Sequence, residues 1–436
     1  MNNRYISIIV KIMLSITLLY IVIIAAASSN VHPDETVTKA AIEYYKTNFM
    51  VPDMRDLPDD KFCSYGQTRL CELTIYYFIA GKIAALIPYE TSYRFFNVLL
   101  AFIIVFIIIK NYNKSPFLLF AFFITPQVWY IFSYATSDAL DYFFAFILVY
   151  QLSVKSSMLN AMLNSEDFTL NKRNIITIIF ISLLTALILM AKPNYYLVLL
   201  LMGYVLLKKY FMAEKGSRRK TLFKIYTSIA VCSLTVFLSR YSIDLYYYGF
   251  DKSEIFRQMR IIHAIPMLNP ATPFNEMYET MFLAAKDVPL ITLFTKYGFL
   301  QVLIGSFFGL YGGMNIAAHP VYYFIMLAAY LFFFAVLFNY IIKSHNKEKY
   351  ADSITAVILA LISVLLVLYY SYFIDFQPQG RYMLPLLPVI TYLVSQNKEI
   401  LQNKYMVSAV MAMGILSHIY VLSTGLKGIF YYNQLY

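Results

Sequence analysis

Apolar runs long enough to cross a membrane, separated by short polar breaks, recur along most of the chain. They fall near residues 5–27, 94–110, 116–134, 139–154, 175–191, 195–211, 222–240, 320–342, 352–373, 383–396 and 405–423, with another candidate near 290–311. Unbroken runs of this kind predict helices, because the strands of a membrane barrel alternate apolar and polar over about ten residues. A helix of about 20 residues spans the hydrocarbon core, so the pattern predicts an all-α polytopic membrane protein with about 11–12 transmembrane helices. The first run reads as a membrane helix rather than a cleaved signal peptide, since it is long enough to span and the rest of the chain needs a membrane anyway.

Between the first two runs, Val37, Ala40, Ala41, Tyr44, Tyr45 and Phe49 recur near helical spacing, which predicts an amphipathic helix lying on the membrane surface. Residues 72–87, apolar but interrupted by Gly81 and Lys82, predict a second. With no internal repeat and no low-complexity linker, residues 1–436 read as one transmembrane domain without a separate soluble domain.

Composition agrees with the pattern. The chain is 60% hydrophobic with only 14% charged residues, and its mean hydropathy is +0.62; a soluble domain carries roughly a quarter charged residues. The net charge of +11 does not indicate nucleic-acid binding, because no soluble basic domain exists to carry it. Basic residues gather instead in "NYNK" (111–114), "KKYFMAEKGSRRK" (208–220), "KSHNKEK" (343–349), "NKEILQNK" (397–404) and the N-terminus. The positive-inside rule places these in the cytoplasm and puts 28–93, 135–138, 192–194, 241–290 and 374–382 outside. Cys63 and Cys71 share the first long outside loop, and their spacing leaves a disulfide and two free thiols equally open.

Four stretches at the outside rims carry candidate chemistry. In "HPDE" (32–35), Asp34 and Glu35 open a helix, where an N-cap role is the plain alternative. In "YATSDALDYF" (134–143), Asp138 and Asp141 share one helical face; a cap explains one acid but not the second. Lys192 in "AKPNYYLV" (191–198) and Arg381 in "DFQPQGRYMLPLLPV" (375–389) suit phosphate oxygens, with snorkelling or anchoring as the ordinary uses. His32, Tyr195, Gln379 and Tyr382 are further candidates in the same stretches, whereas His263 reads as an ordinary loop residue. Acids and bases on one face predict a cavity that holds a phosphate-bearing substrate beside a hydroxyl to be deprotonated. Paired acids also suit a divalent cation, Mg or Mn, bridging to phosphate.

With "SFFGLYGGMN" (306–315), these pieces, in their order and sidedness, resemble the GT-C class of membrane glycosyltransferases, which take sugars from polyprenyl-phosphate carriers. More narrowly, the chain resembles a bacterial family of unassigned membrane proteins related to that class. The resemblance implies a first outside loop of surface helices and transfer of one sugar to a glycan or lipid acceptor of the cell envelope. It implies Asp34 as base with Glu35 contributing, Asp138 and Asp141 positioning acceptor or metal, and Lys192 and Arg381 binding donor phosphate. It implies a bacterial inner membrane with the N-terminus in the cytoplasm. Metal dependence stays open, because the class contains both kinds of enzyme. The Trp-Trp-Asp motif of oligosaccharyltransferases is absent, since Trp129 is the chain's one tryptophan. The competing readings are a transporter or flippase of a lipid-linked saccharide and a non-catalytic assembly subunit; charges at one rim and the lack of a repeat weigh against transport.

Overall fold

The computed structural model describes residues 4–27, 31–165 and 171–433, with the backbone alone for 432 and 433. The described chain is helical, with isolated bridges and no strands. α1 (Arg4–Ala26) leads into α2 (Glu35–Thr47) and α3 (Tyr76–Leu86) of the first long loop. There follow α4 (Phe95–Asn111), α5 (Pro126–Ile131), α6 (Asp138–Ser153), α7 (Met158–Asn164), α8 (Lys172–Leu189) and α9 (Tyr196–Met212). α10 (Ser217–Tyr248) and α11 (Lys252–His263) precede α12 (Ile291–Thr295) and α13 (Phe299–Gly309). The chain ends in α14 (Pro320–Lys343), α15 (Lys347–Phe373), α16 (Leu386–Gln396), α17 (Lys404–Tyr420) and α18 (Leu426–Asn433).

Nine helical segments among the described residues are long and apolar enough to cross a membrane. The count is lower than the sequence predicts because three apolar runs fold as shorter pieces. Residues 116–134 form a 3-10 turn over Pro116–Ala121 and then α5, with Pro126 starting the second piece and Thr125 capping it. Their side chains are almost wholly buried; non-helical backbone at membrane depth is tolerated where protein surrounds it. Gly298, at φ 64°, separates α12 from α13, and Pro385 confines α16 to the stretch beyond it. In the other direction, α10 runs 32 residues between Gly216 and Gly249, both at positive φ. At 1.5 Å per residue that is about 48 Å, well beyond a ~30 Å core.

Polarity is inverted relative to a soluble bundle. Phe324, Leu331, Leu361 and Leu365 are exposed on α14 and α15, while Asp352, Ser363 and Ser371 are buried. Asp352 is neutralised by Lys208 Nζ at 2.9 Å. Such an exterior suits lipid, and the buried charge is tolerated because it is paired.

The first loop forms two short helices, α2 and α3, where the sequence predicts them. α2 lies against α3 where Gly81 has no side chain: a Cβ there would sit 2.8 Å from the Ile42 carbonyl oxygen. This loop interlocks with the second long loop. The His263 ring stacks on Phe62 at 3.8 Å and its Nδ1 lies 2.9 Å from Asp59, while Ile265 N–H donates to the Ser64 carbonyl. Tyr65 OH reaches Asp375 at 2.9 Å. Two long loops and the turn before α16 thus cover one end of the bundle.

Candidate functional site

Beneath that cover, charged side chains from five separate stretches meet. Asp34 stands at the head of α2 with φ 57°, and its carboxylate accepts no capping hydrogen bond, so the N-cap alternative is not realised. Its Oδ2 lies 3.2 Å from Arg381 Nη2 and 3.9 Å from Arg69 Nη2. Arg381 Nη1 lies 4.0 Å from Asp138 Oδ2, which Lys192 Nζ approaches to 2.9 Å. The chain of alternating charge therefore runs Arg69, Asp34, Arg381, Asp138, Lys192.

Local structure fixes each member. Arg381 belongs to a 3-10 turn, Gly380–Met383, held to α13 by the Gly380 N–H donating to Ser306 Oγ at 2.6 Å. A Cβ at Gly380 would fall 2.0 Å from the Phe307 nitrogen, so only glycine permits this approach. Asn97 Nδ2 donates to the Tyr134 and Thr136 carbonyls and sets the turn that presents Asp138. Tyr195 OH donates to the Asp138 carbonyl, tying the head of α9 to the first turn of α6. Pro193 starts the turn after Lys192, whose backbone N–H donates to Asp141 at 3.3 Å.

Asp34 and Glu35, though adjacent, have different surroundings. The Asp34 side chain is 52% exposed, that of Glu35 only 6%. Arg94 grips Glu35 with two guanidinium nitrogens, at 2.8 and 2.5 Å, and Ala135 N–H donates to the same carboxylate. Glu35 thereby locks the α2 entrance to the 134–137 turn, in the frame of the site rather than on its open surface. Burial pushes the Glu35 carboxyl up, against the pull of Arg94. At Asp34 burial works in the same direction, but Arg381, Arg69 and Lys192 outweigh it and hold the carboxyl below its usual value.

The remaining candidates have supporting places. His32 Nδ1 and Tyr130 OH share a hydrogen bond at 2.8 Å, that hydroxyl also accepts from Gly312 N–H, and the imidazole stacks on Tyr134. Burial, then Arg94, pulls the His32 ring well below its ordinary value, so it is neutral. The Tyr382 ring lies 5.5 Å from the Arg381 guanidinium, and Gln379 turns to Gln377 rather than to the charge cluster.

A cavity of about 670 Å³ opens beside the cluster, lined by Arg69, Glu72, Ser137, Asp141 and Lys192 and by the aromatic rings of Tyr196, Tyr241, Phe250 and Phe256. This size and this mixture of apolar wall and few charges suit a ligand site. Asp34, Asp138 and Arg381 border it through Arg69 and Lys192 rather than lining it themselves. Among the described residues Asp138 Oδ1 and Arg381 Nε, both buried, have no hydrogen-bond partner, so both retain capacity for a ligand group. Among the described residues no three His, Cys, Asp or Glu side chains share a place for a metal ion. Asp34, Glu35 and Asp138 each face a cation already, so the site does not fit a divalent cation. Cys63, Cys71 and Cys232 are free thiols.

Arg69, Glu72 and Arg94 are additions to the predicted set. Arg69 and Glu72 pair at 2.6 Å within the first loop, where charges draw no notice. Arg94 carries a signal in hindsight, as a lone arginine heading an apolar run and wholly buried.

A family model described as "Predicted membrane protein (DUF2142)" matches residues 83–390, well over half of the chain. The chain belongs to the DUF2142 family. The matched segment contains Arg94, Asp138, Asp141, Lys192 and Arg381, whereas Asp34, Glu35 and Arg69 precede it. No curated protein and no solved structure matches this DUF2142 chain.

Proposed function

We propose that the protein is a GT-C-type glycosyltransferase that moves one sugar from a polyprenyl-phosphate donor to a glycan or lipid acceptor of the cell envelope. The observation that carries this reading is the convergence of Asp34 on Arg381, 3.2 Å apart, with Asp138 and Lys192 beyond. The setting is a bacterial inner membrane, with the basic loops and the N-terminus in the cytoplasm and the charge cluster on the outer face.

The geometry suggests how binding prepares the chemistry. Donor phosphate competes with the Asp34 carboxylate for Arg381, whose fork suits two phosphate oxygens. Asp34 is then released to accept the proton of the acceptor hydroxyl. The acceptor oxygen bonds to the anomeric carbon as the bond from that carbon to the phosphate oxygen breaks. The leaving phosphate keeps the electron pair, and Arg381 and Lys192 balance its charge. The aromatic wall of the adjoining cavity offers faces for sugar rings or the first isoprene units.

The deciding experiment compares surface glycans, by mass spectrometry, from cells with the wild-type protein and with Asp34→Asn. The expected result is loss of a sugar in the variant with normal membrane insertion. Full transfer by Asp34→Asn removes Asp34 as base. Flux of a lipid-linked saccharide across sealed vesicles with no change in any glycan replaces transfer by transport.

A further inference from the structure

At the end opposite the carboxylate cluster, a cavity of about 910 Å³ opens between the ends of α6, α9 and α16, with α7 and the start of α10 at its side. Lys114, Lys155, Lys209, Arg218 and Lys398 line it. None of the five has a carboxylate oxygen within 4.0 Å among the described residues. Arg218 donates to the Leu163 and Ser165 carbonyls, and Lys209 to the Asn164 side-chain oxygen at 2.8 Å, so their partners are neutral. Of the described acids that line the cavity, Glu348 lies 3.7 Å from Lys208 and Glu399 3.6 Å from Lys349, with Lys398 also near Glu399 but beyond ion-pair distance.

Backbone carbonyls at the end of α6 would repel an anion, but those of Gln151, Leu152 and Val154 are covered. Asn160 Nδ2 donates to the Leu152 and Val154 carbonyls and Ser157 Oγ to that of Gln151. Ser153 Oγ, also on the cavity wall, is buried without a hydrogen-bond partner. Retention of basic loops on one side of a membrane explains positive charge at this end. It does not explain why five basic side chains, none within 4.0 Å of a carboxylate oxygen among the described residues, gather around one hollow. Like charges lining a cleft reinforce one another and concentrate counter-ions there.

We propose that this cavity is a binding site for a phosphate-bearing anion, either the headgroup of an anionic lipid or a soluble phosphate compound. The inference does not depend on the transferase reading, which concerns the other end of the molecule. Among the described residues Lys155 and Lys398 make no side-chain hydrogen bond and no ion pair within 4.0 Å, so Lys155→Gln/Lys398→Gln leaves the fold intact, as thermal unfolding will verify.

The test uses full-length protein. Inorganic pyrophosphate is titrated calorimetrically in neutral detergent. Retention of phosphatidylglycerol over phosphatidylcholine is read by native mass spectrometry after release from nanodiscs. The wild type is expected to take up at least one probe, and the double variant to bind it about tenfold more weakly. Lys215→Gln/Lys347→Gln, which removes two exposed charges outside the cavity at the same end, is expected to bind as the wild type does. Variant-sensitive pyrophosphate binding alone identifies a soluble ligand, and variant-sensitive phosphatidylglycerol retention alone a lipid headgroup. Failure of both probes, equal binding by the cavity variant, or an equal loss in the control pair overturns the proposal.

Discussion

Asp34 is an ion-pair partner of Arg381 and, in the proposed transfer, the base, and its position on the acidity scale tells the two functions apart. Its folded value lies below the usual one because Arg381, Arg69 and Lys192 overcome the effect of burial. Transfer that needs ionised Asp34 therefore persists into acid and falls only as the pH drops through this depressed value. Arg69→Gln removes one of the cations, so the acid limb of the kcat/KM profile moves up toward the ordinary carboxylate range; an unmoved limb assigns the base elsewhere. The same shift is a stability statement. Asp34 contributes stability that is complete above its unfolded value and is lost as the pH falls through the lower folded one. Asp34→Asn accordingly flattens the acid side of the Tm–pH curve. Glu35 behaves differently, because Arg94 is wholly buried and Glu35→Gln removes the carboxylate that its guanidinium grips through two nitrogens. Removing one partner of a buried pair costs about 3–5 kcal/mol, whereas replacing both by apolar residues is often neutral. Thermal unfolding of Glu35→Gln is expected to show the loss, and Glu35→Leu/Arg94→Leu to recover much of it.

Short elements, rather than long spans, place the charges. The Gly380–Met383 turn rests on α13 through a contact that no side chain at Gly380 permits. Gly380→Ala is therefore expected to push the turn, and Arg381 with it, away from Asp34. Displacement of about 1 Å at a reacting group lowers rates up to a hundredfold; kcat/KM for transfer is expected to fall by about tenfold to a hundredfold. The sequence made Arg381, Lys192 and Asp138 conspicuous because an ionisable group beside an apolar run is costly without a partner. It concealed Arg69 and Glu72, which lie in a polar loop where charge costs nothing. It also concealed the breaks at Gly298 and around Pro126, since an apolar run reads alike whether lipid or protein surrounds it. Nothing in its composition distinguishes 116–134, buried on all sides, from α15, which shows Leu361 and Leu365 to the exterior.

On the scale of the whole molecule, the two ends differ in kind: one bears interlocked loops over a mixed-charge cluster, the other a basic cavity. The positive-inside rule predicts that the basic loops face the cytoplasm, and the transferase proposal requires the mixed-charge end to face outward, where a flipped lipid-linked sugar resides. The native cysteines provide the probe. Cys63 lies half-buried in the first long loop. Cys71, in the same loop, is buried, and burial pushes its thiol up to about 11, so it reacts slowly. Cys232 is exposed on the apolar span of α10. In a Cys232→Ser background, a membrane-impermeant maleimide is expected to modify Cys63 in intact spheroplasts. With Cys63→Ser added, Lys215→Cys at the basic end is expected to react only after permeabilisation. The reverse pattern would put Asp34 and Arg381 in the cytoplasm, where the donor chemistry proposed for them has no outward-facing substrate. Because labelling reads topology without any assay of transfer, this result separates a wrong orientation from a wrong base.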